Sequence, residues 1–192
     1  MSPRKPTSQE LTKEMIINEA RTQFAEKDFH QVSMRSLARQ LGCSHGALYY
    51  HFQNKAELFY AVIKEYFQNL NKLMEEIVHS PGDPQVKLQN IFLRFIEFGL
   101  NNQSQYELMF MMRNNEVDGL SQEAANLCYQ KFAQSVQSLS DNQLKISEIY
   151  SSFISLHGFV SHYRGNAANF EEAKDVAHLH VIFIAKALSQ PS

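Results

Sequence analysis

Between Ser44 and Lys55 the chain reads SHGALYYHFQNK, which offers aromatic faces, imidazoles and a cation rather than a nucleophile with its base. Gly46 and Ala47 leave the first turn of a helix almost bare, which costs helix stability but lets a phosphate or a base edge approach the helix N-terminus. Tyr49, Tyr50 and His51 are consecutive and, at 100° per residue, cannot all point inward. Leu48 and Phe52, four apart, can share the buried face, so Tyr50 and His51 project toward solvent or a partner. Lys55 lies in the first turn of the next helix, where a cation is mildly disfavoured unless a phosphate sits there. The chemistry on offer is non-covalent recognition of a polyanion.

Catalytic alternatives find little support. The sequence holds no GxSxG elbow, no phosphate-cradling glycine loop and no HExxH, and pairing Glu97 or Glu107 with His157 as acid and base has no spacing behind it. His178 and His180 are two apart and His157 and His162 five apart, so none has the i, i+4 spacing that lets two imidazoles share a metal. No enzyme activity, metal or cofactor is expected.

The elements that must position the Ser44–Lys55 groups can be read around them. Ser33 can cap a helix onto which Val32 staples, with Leu37, Ala38 and Leu41 on its apolar face. Gly42 can end that helix in the left-handed conformation, Cys43 supplies a small turn residue, and Ser44 can cap the helix starting near His45. The spacing thus predicts a helix-turn-helix over residues 33–52. Asn54 and Glu57 form a capping-box signature for the following helix. Upstream, Ile16, Ile17, Ala20 and Phe24 make an apolar stripe that Thr7 and Glu10 could cap, and Leu58, Val62 and Ile63 continue one downstream.

On these residues the chain resembles the tetracycline-repressor (TetR) family of transcriptional regulators, over about residues 10–65. Ile17, Ala20 and Phe24 carry the resemblance in the first helix and Ser36-Leu37-Ala38 with Gly42 in the second; Leu48-Tyr49-Tyr50-His51-Phe52 and Lys55-Ala56-Glu57-Leu58 complete it. Asp28 stands where the family usually has glycine and Cys43 where it usually has valine; aspartate tolerates the left-handed conformation better than most residues. The resemblance implies base and phosphate contacts at Arg35, Ser44, His45, Gly46, Ala47, Tyr49, Tyr50, His51 and Lys55. It also implies an all-α fold of about nine helices, with a DNA-binding head over 8–68 and an effector-binding and dimerisation body over 69–192.

Charge distribution agrees with that division. The 192 residues carry a net charge of −2, yet residues 1–64 hold nine Lys or Arg against six Asp or Glu, and the remainder nine against fourteen. A basic head on an acidic body suits salt-dependent, reversible DNA binding. The absence of a long apolar run or an apolar N-terminal segment leads us to expect a cytoplasmic protein without a membrane span. Cys43 and Cys128 form no CxxC and read as small packing residues, with peroxide sensing through Cys43 as an alternative.

Beyond the motif the pattern is helical, with breaks at 80–84, 114–119, 140–142 and 165–166, and helices expected near 55–78, 85–101, 105–113, 121–139, 144–164 and 170–189. Asp83-Pro84 supplies an N-cap with proline at the first helical position, and Asn169 with Glu172 a capping box. The last helix is apolar in nearly every direction, and the one before it is wider in apolar surface than one stripe requires. Either the last helix is buried centrally in a monomer or both helices close an isologous four-helix interface. We expect the homodimer, through Ile149, Phe153, Val160, Val176, Leu179, His180, Phe183 and Ala187.

The middle helices are rich in Phe and Met, which read as ordinary core or as the lining of an adaptable apolar cavity. The family resemblance implies the cavity, and the candidate effector residues are Phe92, Phe95, Tyr106, Met109, Phe110, Phe153 and His157. His157 can hydrogen-bond within the core or polarise a bound molecule. Residues 105–110 and Leu156-His157-Gly158 further resemble a body subtype named for a Trp-His-Gly triplet, although the tryptophan is absent here. The sequence therefore predicts a regulator, most simply a repressor, that leaves near-palindromic double-stranded DNA when a small apolar effector binds. A helical adaptor using the motif for protein contacts is the alternative from another class.

Overall fold

Six of the helices among the described residues begin where a side chain takes over an orphan backbone amide. Thr12 Oγ1 accepts from Met15 N (3.2 Å), Ser33 Oγ from Ser36 N (3.0 Å), Ser44 Oγ from Ala47 N (3.1 Å) and Asn54 Oδ1 from Glu57 N (2.8 Å). Asp83 Oδ1 accepts from Gln85 N and Val86 N with Pro84 at the first position, and Asn169 Oδ1 accepts from Glu171 N. The computed structural model describes residues 10–27, 29–112, 117–140 and 143–189. Among them lie nine α-helices and no β-strand: α1 (Lys13–Glu26), α2 (Met34–Gln40), α3 (His45–His51), α4 (Lys55–His79), α5 (Pro84–Asn101), α6 (Gln103–Phe110), α7 (Asp118–Leu139), α8 (Ile146–Tyr163) and α9 (Phe170–Leu188). A single 3-10 turn spans Phe29–Gln31.

Two details differ from the sequence expectation. The first helix is capped by Thr12, not at Thr7, which lies outside the described residues, as do Asp28 and Arg113. The capping boxes of α4 and α9 are stretched: the Glu57 carboxylate accepts from Gln53 N and that of Glu172 from Ala168 N, each one residue before the cap.

The chain divides into two units, Met1–Val62 and Ile63–Ser192, the division falling within α4. In the first unit, Ile16, Ala20 and Phe24 of α1 are buried with Leu37 and Ala38 of α2, Leu48 of α3, and Leu58 and Phe59 of α4. Phe24, Phe29 and Phe59 form an aromatic triad with centroids 5.0–5.8 Å apart, the edge-to-face partners being Phe24–Phe59 and Phe29–Phe59. Gln23, buried on α1, accepts from Ser36 Oγ at 3.1 Å and donates to Glu19 at 2.7 Å, a polar clip between α1 and α2. Gly42 ends the α2 turn with φ +64°, where a side chain would be strained.

In the second unit α5 is the central helix, packed against α6, α7, α8 and α9. Its approach to α8 needs Gly99: a Cβ there would lie 2.6 Å from Val160 Cγ1 and 2.9 Å from Val160 Cγ2. Gln103 ties the turn between α8 and α9 to the start of α6, donating to the Ala167 carbonyl (2.8 Å) and accepting from Gly165 N (3.0 Å).

The burial of α8 corrects part of the expected dimer surface. Ile149, Phe153 and Val160 are buried in the protomer's own core, because α8 turns that stripe toward α5 and α7. The apolar residues that α8 leaves exposed are Ile146, Tyr150 and Ile154, four apart on one face. On α9, Val176, Leu179 (66% exposed), Phe183 (69% exposed) and Ala187 are exposed and His180 is half-buried. A groove of about 310 Å³ separates the two helices, lined by Ser151 and Ser155 on one side and Phe183, Ala187 and Leu188 on the other.

Candidate nucleic-acid interface and effector cluster

α3 is short because its caps sit close together, Ser44 before it and Phe52 after it. Leu48 is its buried residue, and Phe52 is buried just beyond, as their four-residue spacing requires. The opposite side is bare. Ser44, His45, Gly46 and Tyr49 are exposed, Tyr50 is 86% exposed, and Ala47 and His51 are half-buried. His45 meets Tyr49 edge-on at 4.6 Å, and Tyr50 meets His51 at 5.2 Å, so two aromatic pairs stand on one short helix. Arg35, on α2, is exposed. A Cβ on Gly46 would find nothing nearer than Ser44 Oγ at 4.0 Å, so the space over that turn is open. This arrangement suits a groove: amide dipoles at the N-terminus, thin cover over the first turn, and aromatic and imidazole donors along the face.

Lys55 has partners within the head. Its Nζ donates to the Phe29 carbonyl at 2.8 Å and lies 4.0 Å above the centre of the Phe29 ring. The ammonium thus has an acceptor and an aromatic face inside the head, 26 residues back along the chain. No helical spacing connects residues 29 and 55, so the sequence carried no sign of it.

Five of the seven candidate effector residues come together in the body. Phe95 lies 6.1 Å from Tyr106, 6.4 Å from Phe110 and 5.5 Å from Phe153, while Phe110 lies 5.5 Å from His157. Phe92 joins through Phe132, at 6.0 Å, and Met109 is buried on α6. Phe132, Tyr129 and Phe67 belong to the same cluster and were not singled out from sequence. Cys128, Phe132 and Val136 do repeat at four-residue spacing on α7, a signal that marks core without distinguishing a binding site.

The cluster has one polar pair. Tyr106 Oη lies 2.6 Å from His157 Nδ1. Burial pushes the phenol's pKa well up, with Cys128 adding to it, and burial pushes that of the imidazole down from 6.5. Both favour the neutral forms, so a neutral phenol and a neutral imidazole share this bond, its direction set by the tautomer of the ring. His157, Phe110, Met111 and Met112 are half-buried, whereas Phe95, Tyr106 and Phe132 are fully enclosed. Cys128 is buried, its pKa pushed up to about 12, so it stays a thiol at neutral pH; Cys43 is half-buried and unbridged. Among the described residues no His, Cys, Asp or Glu cluster could hold a metal, and no helix is long and apolar enough to cross a membrane.

Comparison with known proteins bears on both units. The family described as "Bacterial regulatory proteins, tetR family" matches residues 16–62. The HTH-type transcriptional regulator AcrR of Shigella flexneri is 26% identical over 134 residues, which are 67% of this chain and 62% of that protein. The chain thus spans less than two thirds of that curated relative. The transcriptional regulator FadR from Bacillus subtilis, solved in complex with stearoyl-CoA, superposes with a TM-score of 0.70 at 17% identity, over 94% of this chain and 100% of that one. The regulator PfmR from Thermus thermophilus does so with a TM-score of 0.70 at 18% identity, over 94% and 99%. The likeness to these two is one of fold.

Proposed function

We propose that this chain, whose residues 16–62 match the tetR family of bacterial regulatory proteins, is a homodimeric, effector-responsive DNA-binding regulator of that family, acting in the cytoplasm as a repressor. The observation that carries the reading is α3. It spends Leu48 on the core and turns Ser44, His45, Gly46, Tyr49 and Tyr50 outward. Such a face has no task inside its own domain, and its donors and aromatic edges suit base readout in a major groove, with Arg35 and the amides of the first turn on phosphates. In this reading the head extends over residues 8–68 and the body over 69–192.

The exposed apolar residues of α8 and α9 support pairing of two copies, which would set two recognition helices about 34–36 Å apart on a near-palindromic operator. The effector is a small, mainly apolar molecule. Support comes from the aromatic cluster around Tyr106 and His157, and from the stearoyl-CoA held by the FadR of similar fold. Binding would favour head spacings that misfit the operator, with a coupling of about 1–3 kcal/mol.

A mobility-shift assay with the DNA flanking the protein's own gene tests this. A retarded complex that protects a near-palindrome and weakens with salt is expected. No complex on that DNA at low salt would refute autoregulation, and failure on every duplex would refute DNA binding altogether.

A further inference from the structure

The aromatic cluster of the body carries its polar pair at an edge that can be reached from outside. Phe95, Tyr106 and Phe132 are fully enclosed, whereas His157 and the Phe110 ring against it are half-buried. The Tyr106 hydroxyl and His157 Nδ1 satisfy each other at 2.6 Å. The second ring nitrogen of His157, Nε2, hydrogen-bonds to none of the described residues. A half-buried imidazole nitrogen left in that condition costs free energy, which a polar atom of a bound molecule would recover.

Charge and tautomer narrow what that molecule is. The rings that touch the pair are Phe95 and Phe110, and burial holds both the phenol and the imidazole in their neutral forms. The ion pair flanking them is already closed: Arg164, at the end of α8, holds Glu107, next to Tyr106 on α6, at 2.7 Å. An ionised acid or amine entering here finds no free counter-charge, and its desolvation goes uncompensated. A neutral ring presents a donor or an acceptor at Nε2 according to its tautomer; a hydroxyl answers both, a carbonyl only the first. We propose that His157 Nε2 anchors the effector, and that the effector is an uncharged apolar molecule, aromatic or aliphatic, bearing a hydroxyl group. This rests on the effector-binding reading above and makes it specific.

Naphthalene, 2-naphthol and 2-naphthoate differ at one position and separate the possibilities. Each is titrated calorimetrically into the 192-residue chain at about pH 7.5, where His157 is neutral, with 1-octanol and octanoate as an aliphatic pair. 2-Naphthol is expected to bind about tenfold more tightly than naphthalene, the scale of one hydrogen bond. 2-Naphthoate should bind at least about tenfold more weakly than 2-naphthol, and octanoate more weakly than 1-octanol. His157→Phe, which keeps a ring in the cluster, is expected to abolish the preference for 2-naphthol while still binding naphthalene. Equal binding of 2-naphthol and naphthalene, carboxylates bound as tightly as the alcohols, or a hydroxyl preference that survives His157→Phe would each overturn the proposal.

Should His157→Phe fail to fold, the wild type decides through long-range proton–nitrogen spectra of its histidine rings, His157 being identified by its contact with the Tyr106 ring. The Nε2 signal of His157 is expected to respond to 2-naphthol more than to naphthalene; equal responses would overturn the anchor. If none of the probes binds, the effector-binding reading fails and the anchor with it. If they bind without discrimination, that reading stands and the anchor alone falls.

Discussion

Tyr50 is 86% exposed, and the contact it makes is edge-on with His51, its neighbour on the same helix. Its removal therefore separates recognition from stability. Tyr50→Ala is expected to change folding stability by no more than about 0.5 kcal/mol, while weakening binding to an enriched duplex by about 1–3 kcal/mol. Urea unfolding and anisotropy on the same preparation measure the two effects. Unchanged affinity would remove Tyr50 from the proposed interface. His157 makes a second case at this scale. Burial lowers its pKa in the folded state below 6.5, so between the folded and unfolded values the unfolded chain binds more protons. The contribution of the neutral, Tyr106-bonded ring is present above the unfolded value and lost as pH falls through 6.5 toward the folded one. Urea unfolding from pH 7.5 down to about pH 5 should show stability decreasing, and His157→Gln should flatten that decrease. Identical pH profiles for the two proteins would assign the loss to other groups.

At the scale of the element, the two halves of the chain were unequally legible. Helix-turn-helix boundaries are written in local chemistry: Ser33, Ser44 and Asn54 each act on an amide three residues away, and Gly42 acts through its own φ of +64°. Asp83 with Pro84 announced α5 in the same way. Interactions that decide which way the body helices face join residues far apart in sequence. Tyr106 finds His157 51 residues on, and Gly99 admits Val160. α8 is apolar on more than one face, and without knowledge of Gly99 the sequence could not say which face goes inward. The sequence alone therefore places Ile149, Phe153 and Val160 at an interface, whereas the fold buries them in the core. Gly99 gives the sharpest check of the α5–α8 seam. Gly99→Ala places a methyl 2.6 Å from Val160 Cγ1, and overpacking of this kind costs about 1–3 kcal/mol in urea unfolding despite alanine's better helix propensity. Adding Val160→Ala should recover part of that loss, and a neutral or stabilising single variant would contradict the close approach.

At the scale of the whole molecule, the outward apolar residues of α8 and α9 ask for a partner that the single chain does not provide. Ile146, Tyr150 and Ile154 on one helix and Val176, Leu179 and Phe183 on the other are exposed in number beyond what a solvated surface requires. Leu179→Asp leaves the protomer's core untouched, since Leu179 is 66% exposed, but would bury an unpaired carboxylate in a symmetric seam twice. Sedimentation velocity is expected to show the wild type as a dimer and Leu179→Asp as a folded monomer. Operator affinity should fall at least tenfold with it, because two coupled heads lose their effective concentration. A variant that remains dimeric would place the interface elsewhere.

The division of charge points the same way, with nine basic against six acidic residues over 1–64 and nine against fourteen in the rest. Selection of duplexes from a randomised pool by the 192-residue chain, followed by titration of the enriched sequence, tests the central claim most directly. The account predicts enrichment of a near-palindrome whose half-site centres lie about 10 base pairs or a multiple apart, two chains per duplex, and affinity that falls steeply with salt. A pool left unenriched after repeated rounds at low salt, with equally weak binding to every duplex, would contradict it.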